Sequence, residues 1–165
     1  MTKREVIYAK FEKVEEQVAH CYFLLHERFL ANPPLAKFWV EAAMDELQHQ
    51  SMLRFCRERG MMSAIAIEHD TIEHVEQLLD MVKDITSDPD VSVEEAFYAS
   101  LLLESSELDE IYERLTSNLA PTHPLLHQAV HASVRGHHQS FVEGAEQFCK
   151  DRGCVEAFRN LLKTM

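Results

Sequence analysis

One spacing occurs twice in this chain of 165 residues, and it dictates which helical faces must meet. Glu15 is followed by Glu46 and His49, 31 and 34 residues on, and Glu104 is followed at the same distances by Arg135 and His138. The two sets are related by an offset of 89, which also pairs Gln50 with Gln139 and Ser51 with Ser140. Residues three apart lie on one face of a helix, so Glu46 and His49 can reach a single metal ion together. A carboxylate on the preceding helix, repeated in a second helix pair, completes a metal site inside a four-helix bundle. Arg135 departs from the pattern, because it stands where the second pair would carry a glutamate.

A chain of this length can bury a core as a single domain, here 1–165. Only four glycines and five prolines, with plentiful Leu, Ala, Glu, Met and Gln, favour an all-helical protein. The formal net charge of −12 argues against nucleic acid or an anionic membrane surface as partner. Apolar runs are too short to span a bilayer, and the start Met1-Thr2-Lys3-Arg4-Glu5 lacks the apolar core of a signal peptide. Cys21, Cys56, Cys149 and Cys154 form no Cys-x-x-Cys pair, so a reduced, cytoplasmic protein without a zinc or rubredoxin-type site is expected. Cys149 and Cys154 could meet in a bend between helices.

Helical periodicity and its punctuation divide the chain. Val14, Val18, Cys21, Leu25 and Phe29 share a face of a first helix, from about Lys3 to Leu30. Asn32-Pro33-Pro34 stops it and starts a second, to about Arg59, with Gly60 as breaker and Asn32 as cap. After the apolar connection Met61 to Ile67, Asp70-Thr71-Ile72-Glu73 reads as a capping box for a crossover helix over 70–85. A second box, Ser92-Val93-Glu94-Glu95, opens a helix that runs unbroken to about Asn118. Ala120-Pro121-Thr122-His123-Pro124 separates it from a long helix to about Lys150, and Gly153 sets off a terminal helix over 155–163. Short Pro-containing turns imply two antiparallel pairs, 3–59 and 92–150.

The inward faces of these helices bring together Glu15, Glu46, His49, Glu104, Glu107 and His138. Four buried carboxylates are costly unless cations neutralise them, and oxygen with imidazole ligation suits iron or manganese. Glu15-Glu16-Gln17-Val18-Ala19-His20-Cys21-Tyr22, Glu46-Leu47-Gln48-His49 and Glu104-Ser105-Ser106-Glu107 with Tyr112 carry a resemblance to the rubrerythrin group of ferritin-like proteins. The resemblance covers the four long helices. It implies an all-α, ferritin-like four-helix bundle with metal ligands at Glu15, Glu46, His49, Glu104, Glu107 and His138. It also implies supporting tyrosines at Tyr22 and Tyr112, and an iron pair that reacts with oxygen, peroxide or ferrous iron. Electrons would come from a separate protein or from ferrous iron itself.

Where that family has a bridging Glu, this chain has Arg135, a fixed positive charge with five donors. Three arrangements are open. Arg135 can fork onto Glu104 or Glu107 in place of one metal's charge, leaving one iron or none. His131, one turn away, can supply the missing ligand. The register can also be shifted by one, with His137 inward and Val134 at the Glu position; the shared His-Gln-Ser favours His138. Outside the centre, His127 and His131 could hold a metal together but read better as helix-surface residues. Met44, Met52, Met61, Met62 and Met81 read as core or interface filling, and Phe38-Trp39 as packing at the bundle end or a subunit contact. Apolar helix faces point to a homodimer. The rival function is a metal-free or single-metal binding scaffold in which Arg135 closes a buried ion-pair network.

Overall fold

Side-chain caps open three of the helices, and prolines open two others. In the computed structural model, which describes residues 1–106 and 108–164, α1 spans Lys3–Arg28 behind a capping box. Glu5 N donates to Thr2 Oγ1 at 3.3 Å, and Thr2 N donates to Glu5 Oε2 at 2.5 Å. A tight turn leads to α2, Pro33–Glu58, which opens on prolines without a cap from the Asn32 side chain. Gly60, at φ 69°, ends the second helix in the left-handed region that glycine enters freely. Helix α3, His69–Ser87, starts one residue before the expected capping box, with Glu68 at the cap, so that box does not form. The second box does form, because Glu95 N donates to Ser92 Oγ at 3.2 Å to open α4, Val93–Glu104.

The expected unbroken helix to Asn118 is instead α4 followed by α5, Leu108–Thr116, and a single turn α6, Leu119–Thr122. Two serines account for the interruption. Ser105 Oγ donates to Leu101 O at 2.6 Å and Ser106 Oγ to Leu103 O at 2.5 Å, so hydroxyls occupy carbonyls at the helix end. The long α7, Pro124–Phe148, follows, and α8, Arg152–Lys163, is capped by Asp151, whose Oδ1 accepts from Gly153 N at 2.9 Å. Gly153 therefore lies inside α8, and the break falls at Cys149 and Lys150.

Helices α1 and α2 share the most extensive contact in the molecule, α3 lies across α1 and α4, and α7 reaches α2, α4, α5, α6 and α8. The face of α3 that does so carries Val75, Leu78, Leu79 and Val82. Phe38, Trp39, Phe97, Phe141 and Phe158 form one aromatic cluster at the meeting of α2, α4, α7 and α8. Trp39 is fully buried within its own chain. Gly144 lets α7 approach this cluster: a Cβ there would stand 2.4 Å from the Phe38 ring. Gly144→Ala should therefore cost about 1–3 kcal/mol by overpacking. Chemical denaturation checks this, and a Phe38→Leu background should remove most of the penalty.

The four cysteines are buried thiols. Burial and the neighbouring Cys149 sulfur push the Cys154 thiol up to about 12, so the two do meet at the α7–α8 bend. Among the described residues, no helix is long and apolar enough to cross a membrane.

Candidate metal centre

Glu15 comes from the middle of α1, Glu46 and His49 from the middle of α2, and Glu104 from the last turn of α4. Asp109 comes from the first turn of α5, and His137 and His138 from α7. Each of these except Asp109, which is partly exposed, is buried. Together they form three overlapping groups whose ligand atoms lie within 4.8 Å of one another: Glu15, Glu46 and His49; Glu46, Glu104 and His137; Glu104, Asp109 and His138. Glu46 and Glu104 each belong to two groups, as bridging carboxylates do. Glu15, Glu46, Glu104 and Asp109, with Val18, Leu103 and Leu108, line a small cavity of about 10 Å³, the size of a single ion or water.

Contrast with Glu12, one turn before Glu15, shows what is unusual. Glu12 is also buried, but Arg57 forks onto it at 2.5 and 3.0 Å and Arg54 approaches at 3.4 Å. Among the described residues, no lysine or arginine pairs with Glu15, Glu46 or Glu104, and only histidines pair with Glu46 and Glu104. His137 Nε2 lies 3.0 Å from Glu46 Oε1 and 3.2 Å from Glu104 Oε2, while its Nδ1 lies 3.0 Å from Asp45 Oδ2. His138 Nε2 contacts Asp109 and lies 3.9 Å from Glu104.

His49 is the exception. It is 1% exposed and stacks on Tyr112 at 4.4 Å, with Nδ1 3.2 Å from Glu46 Oε2. That approach is misaligned, so neither ring nitrogen has a hydrogen-bond partner among the described residues. Burying an imidazole without partners costs free energy that an ion between His49, Glu46 and Glu15 would recover. The residues present fit a divalent ion bound by oxygen and nitrogen.

Proton occupancy follows from this crowding. Burial and the adjacent Glu46 carboxylate push Glu15 well above the carboxylate range. Burial would raise Glu46 as well, but His137 beside it holds it below that range. Burial opposes the charge on His137, yet Glu104 and Glu46 outweigh it and hold the imidazole well above the histidine range. His138 is raised against burial by its hydrogen bond with Asp109.

Of the residues singled out from sequence, Glu15, Glu46, His49 and Glu104 converge, and His138 joins them through Glu104 and Asp109. Tyr22 Oη donates to Glu104 Oε1 at 2.5 Å, as expected of a tyrosine that orients a ligand. Tyr112 differs, because it covers the face of His49 and binds no carboxylate among the described residues. Arg135 is exposed and makes no ion pair among the described residues, so the expected fork onto Glu104 does not form; Glu107 lies outside the described residues. His131, also at the surface, contacts Glu113 and is no ligand of this centre. The shifted register is the one α7 adopts, with Val134 and His137 inward.

Asp109 and Asp45 escaped the sequence reading, which gave His137 only as the alternative register. The phase of Val130, Val134, Phe141 and Ala145 places His137 on the buried stripe of α7, a signal the shared His-Gln-Ser obscured. Asp109 needed the break at Ser105-Ser106, since on a continuous helix it would point about 140° away from Glu104. Asp45 lies beside the Glu46 stripe and carries no local signal.

A cleft of about 510 Å³ opens from the surface onto Glu104, Asp109 and His138, with Arg135 and His131 along its wall. Comparison with protein-family models, curated proteins and solved structures finds no match for this chain.

Proposed function

We propose that this chain is a ferritin-like protein of rubrerythrin type that holds iron, or manganese, in a non-haem carboxylate–histidine centre and oxidises ferrous iron or reduces peroxide or oxygen. The observation that carries this reading is the ion-sized cavity lined by Glu15, Glu46, Glu104 and Asp109, beside a buried His49 whose ring nitrogens lack partners. The helix order supports it too: a close α1–α2 pair, a crossover helix α3, and a second pair built from α4–α5 and α7. Glu15, Glu46 and His49 would hold one ion, and Glu104 with His137, or with Asp109 and His138, a second. Bound iron supplies redox electrons at a site where oxygen or peroxide can be reduced. Asp45 faces His137 Nδ1 and thereby orients Nε2 towards the carboxylates, while Tyr22 steadies Glu104. The cleft is wide enough to admit oxygen, peroxide or a hydrated ion to Asp109 and His138, and electrons would come from a separate donor or from ferrous iron.

A second reading, a metal-free ferritin-like scaffold, is favoured by one feature. His137, held protonated between Glu46 and Glu104, already supplies a positive charge at the centre. Elemental analysis after anaerobic ferrous loading separates the two. About two irons per chain supports the centre, about one means that His137 stays as a resident cation, and none in folded protein leaves the scaffold.

A metal bound by Glu15, or by His137, competes with protons for that group. Both groups are raised, so both bind protons more tightly as pH falls, and Mn²⁺ affinity should drop with falling pH. Calorimetry in buffers of different ionisation enthalpy should show proton release on binding. Uptake without proton release would rule out this ligand set.

A further inference from the structure

We infer that His127 and His131 form a second, surface site for a zinc-class divalent ion, with Glu113 as the residue that orients it. The two histidines lie one turn apart on α7, and their Nε2 atoms face each other at 3.0 Å. An ion about 2.0–2.1 Å from each of two imidazole nitrogens holds them roughly 3 Å apart. The spacing is therefore already that of two ligands of one ion. His131 Nδ1 lies 3.1 Å from Glu113 Oε1, which reaches across from α5. A carboxylate at Nδ1 places the proton there and leaves the Nε2 lone pair pointing at His127, the arrangement in which metal-ligating histidines are held. His131 is exposed and His127 half-buried, so water can complete the coordination. The site lies on the wall of the same cleft that opens onto Asp109 and His138, but it shares no ligand with the buried centre.

The test uses Zn²⁺ alone, titrated in competition with a chromophoric chelator, on full-length protein. In Glu46→Ala/Glu104→Ala, which removes a ligand from each of the three buried groups, one Zn²⁺ should still bind. Adding His127→Ala or His131→Ala should weaken that ion at least about tenfold, and Glu113→Gln should weaken it about tenfold by loosening His131. These side chains are exposed or half-buried, so denaturation midpoints should stay at that of the Glu46→Ala/Glu104→Ala background, which excludes unfolding as the cause. Equal Zn²⁺ affinity with and without His127 and His131 would overturn the inference. That outcome is separate from the fate of the proposed iron centre, which is read from the Glu46-dependent ions.

Discussion

Glu46→Ala is expected to abolish metal uptake at the two buried groups that share Glu46. Glu46 is shared by the group with Glu15 and His49 and the group with Glu104 and His137, so one truncation removes a ligand from both. Loss of even an outer partner of a metal ligand costs about 10–100-fold in affinity, so loss of a shared carboxylate should exceed about a hundredfold. Iron content after anaerobic loading and Mn²⁺ calorimetry both report it. A Glu46→Ala protein that loads as much iron as wild type would remove the basis for the proposed centre. His49→Ala should act in the same direction on the ion it shares with Glu15, and Tyr112 would then lie against a cavity.

The largest effect on stability is expected from His137→Ala in metal-free protein, about 3–5 kcal/mol. The side chain stands between Glu46 and Glu104 and is held by Asp45, so its removal leaves buried carboxylates without a counter-charge. Its folded-state protonation lies above the unfolded one. The stabilisation is thus full at pH below the ordinary histidine range, and it is lost as pH rises through the elevated folded value. Urea denaturation of both proteins across that range measures the difference. Mn²⁺ should return part of the lost stability to the variant, because an ion bound by Glu15, Glu46 and His49 supplies the missing charge. A His137→Ala protein as stable as wild type in the absence of metal would mean that these carboxylates do not depend on the imidazole.

Much of this arrangement was legible in local pattern. Glu15, Glu46 and His49 could be placed on facing helices because three-residue spacing on α2 and the apolar phase of α1 are properties of single helices. Glu104 and Tyr22 followed from the same logic. The full set of α7 residues was not, because two overlapping stripes, Val134–His137 and Arg135–His138, both read as amphipathic; the shared tripeptide pointed to His138, which is buried beside Glu104 and Asp109, but not to His137, which is buried as well. A fork of Arg135 onto Glu104, one of the arrangements that the sequence left open, was likewise a deduction from register, and it does not form because Arg135 lies on the exposed side of α7.

Helical class, the position of the turns at Asn32-Pro33-Pro34 and Gly60, and the burden of buried carboxylates were determined by the sequence alone, since propensity, proline and glycine geometry and charge act locally. Which residues answer those carboxylates was decided only by tertiary packing. The break between α4 and α5 at Ser105-Ser106 places Asp109 within reach of Glu104. The rotation of α7 against α2 then chooses His137 over Arg135 as the cation between Glu46 and Glu104. Both outcomes depend on the angle at which one helix meets another, and that angle is set by contacts between residues far apart in the chain.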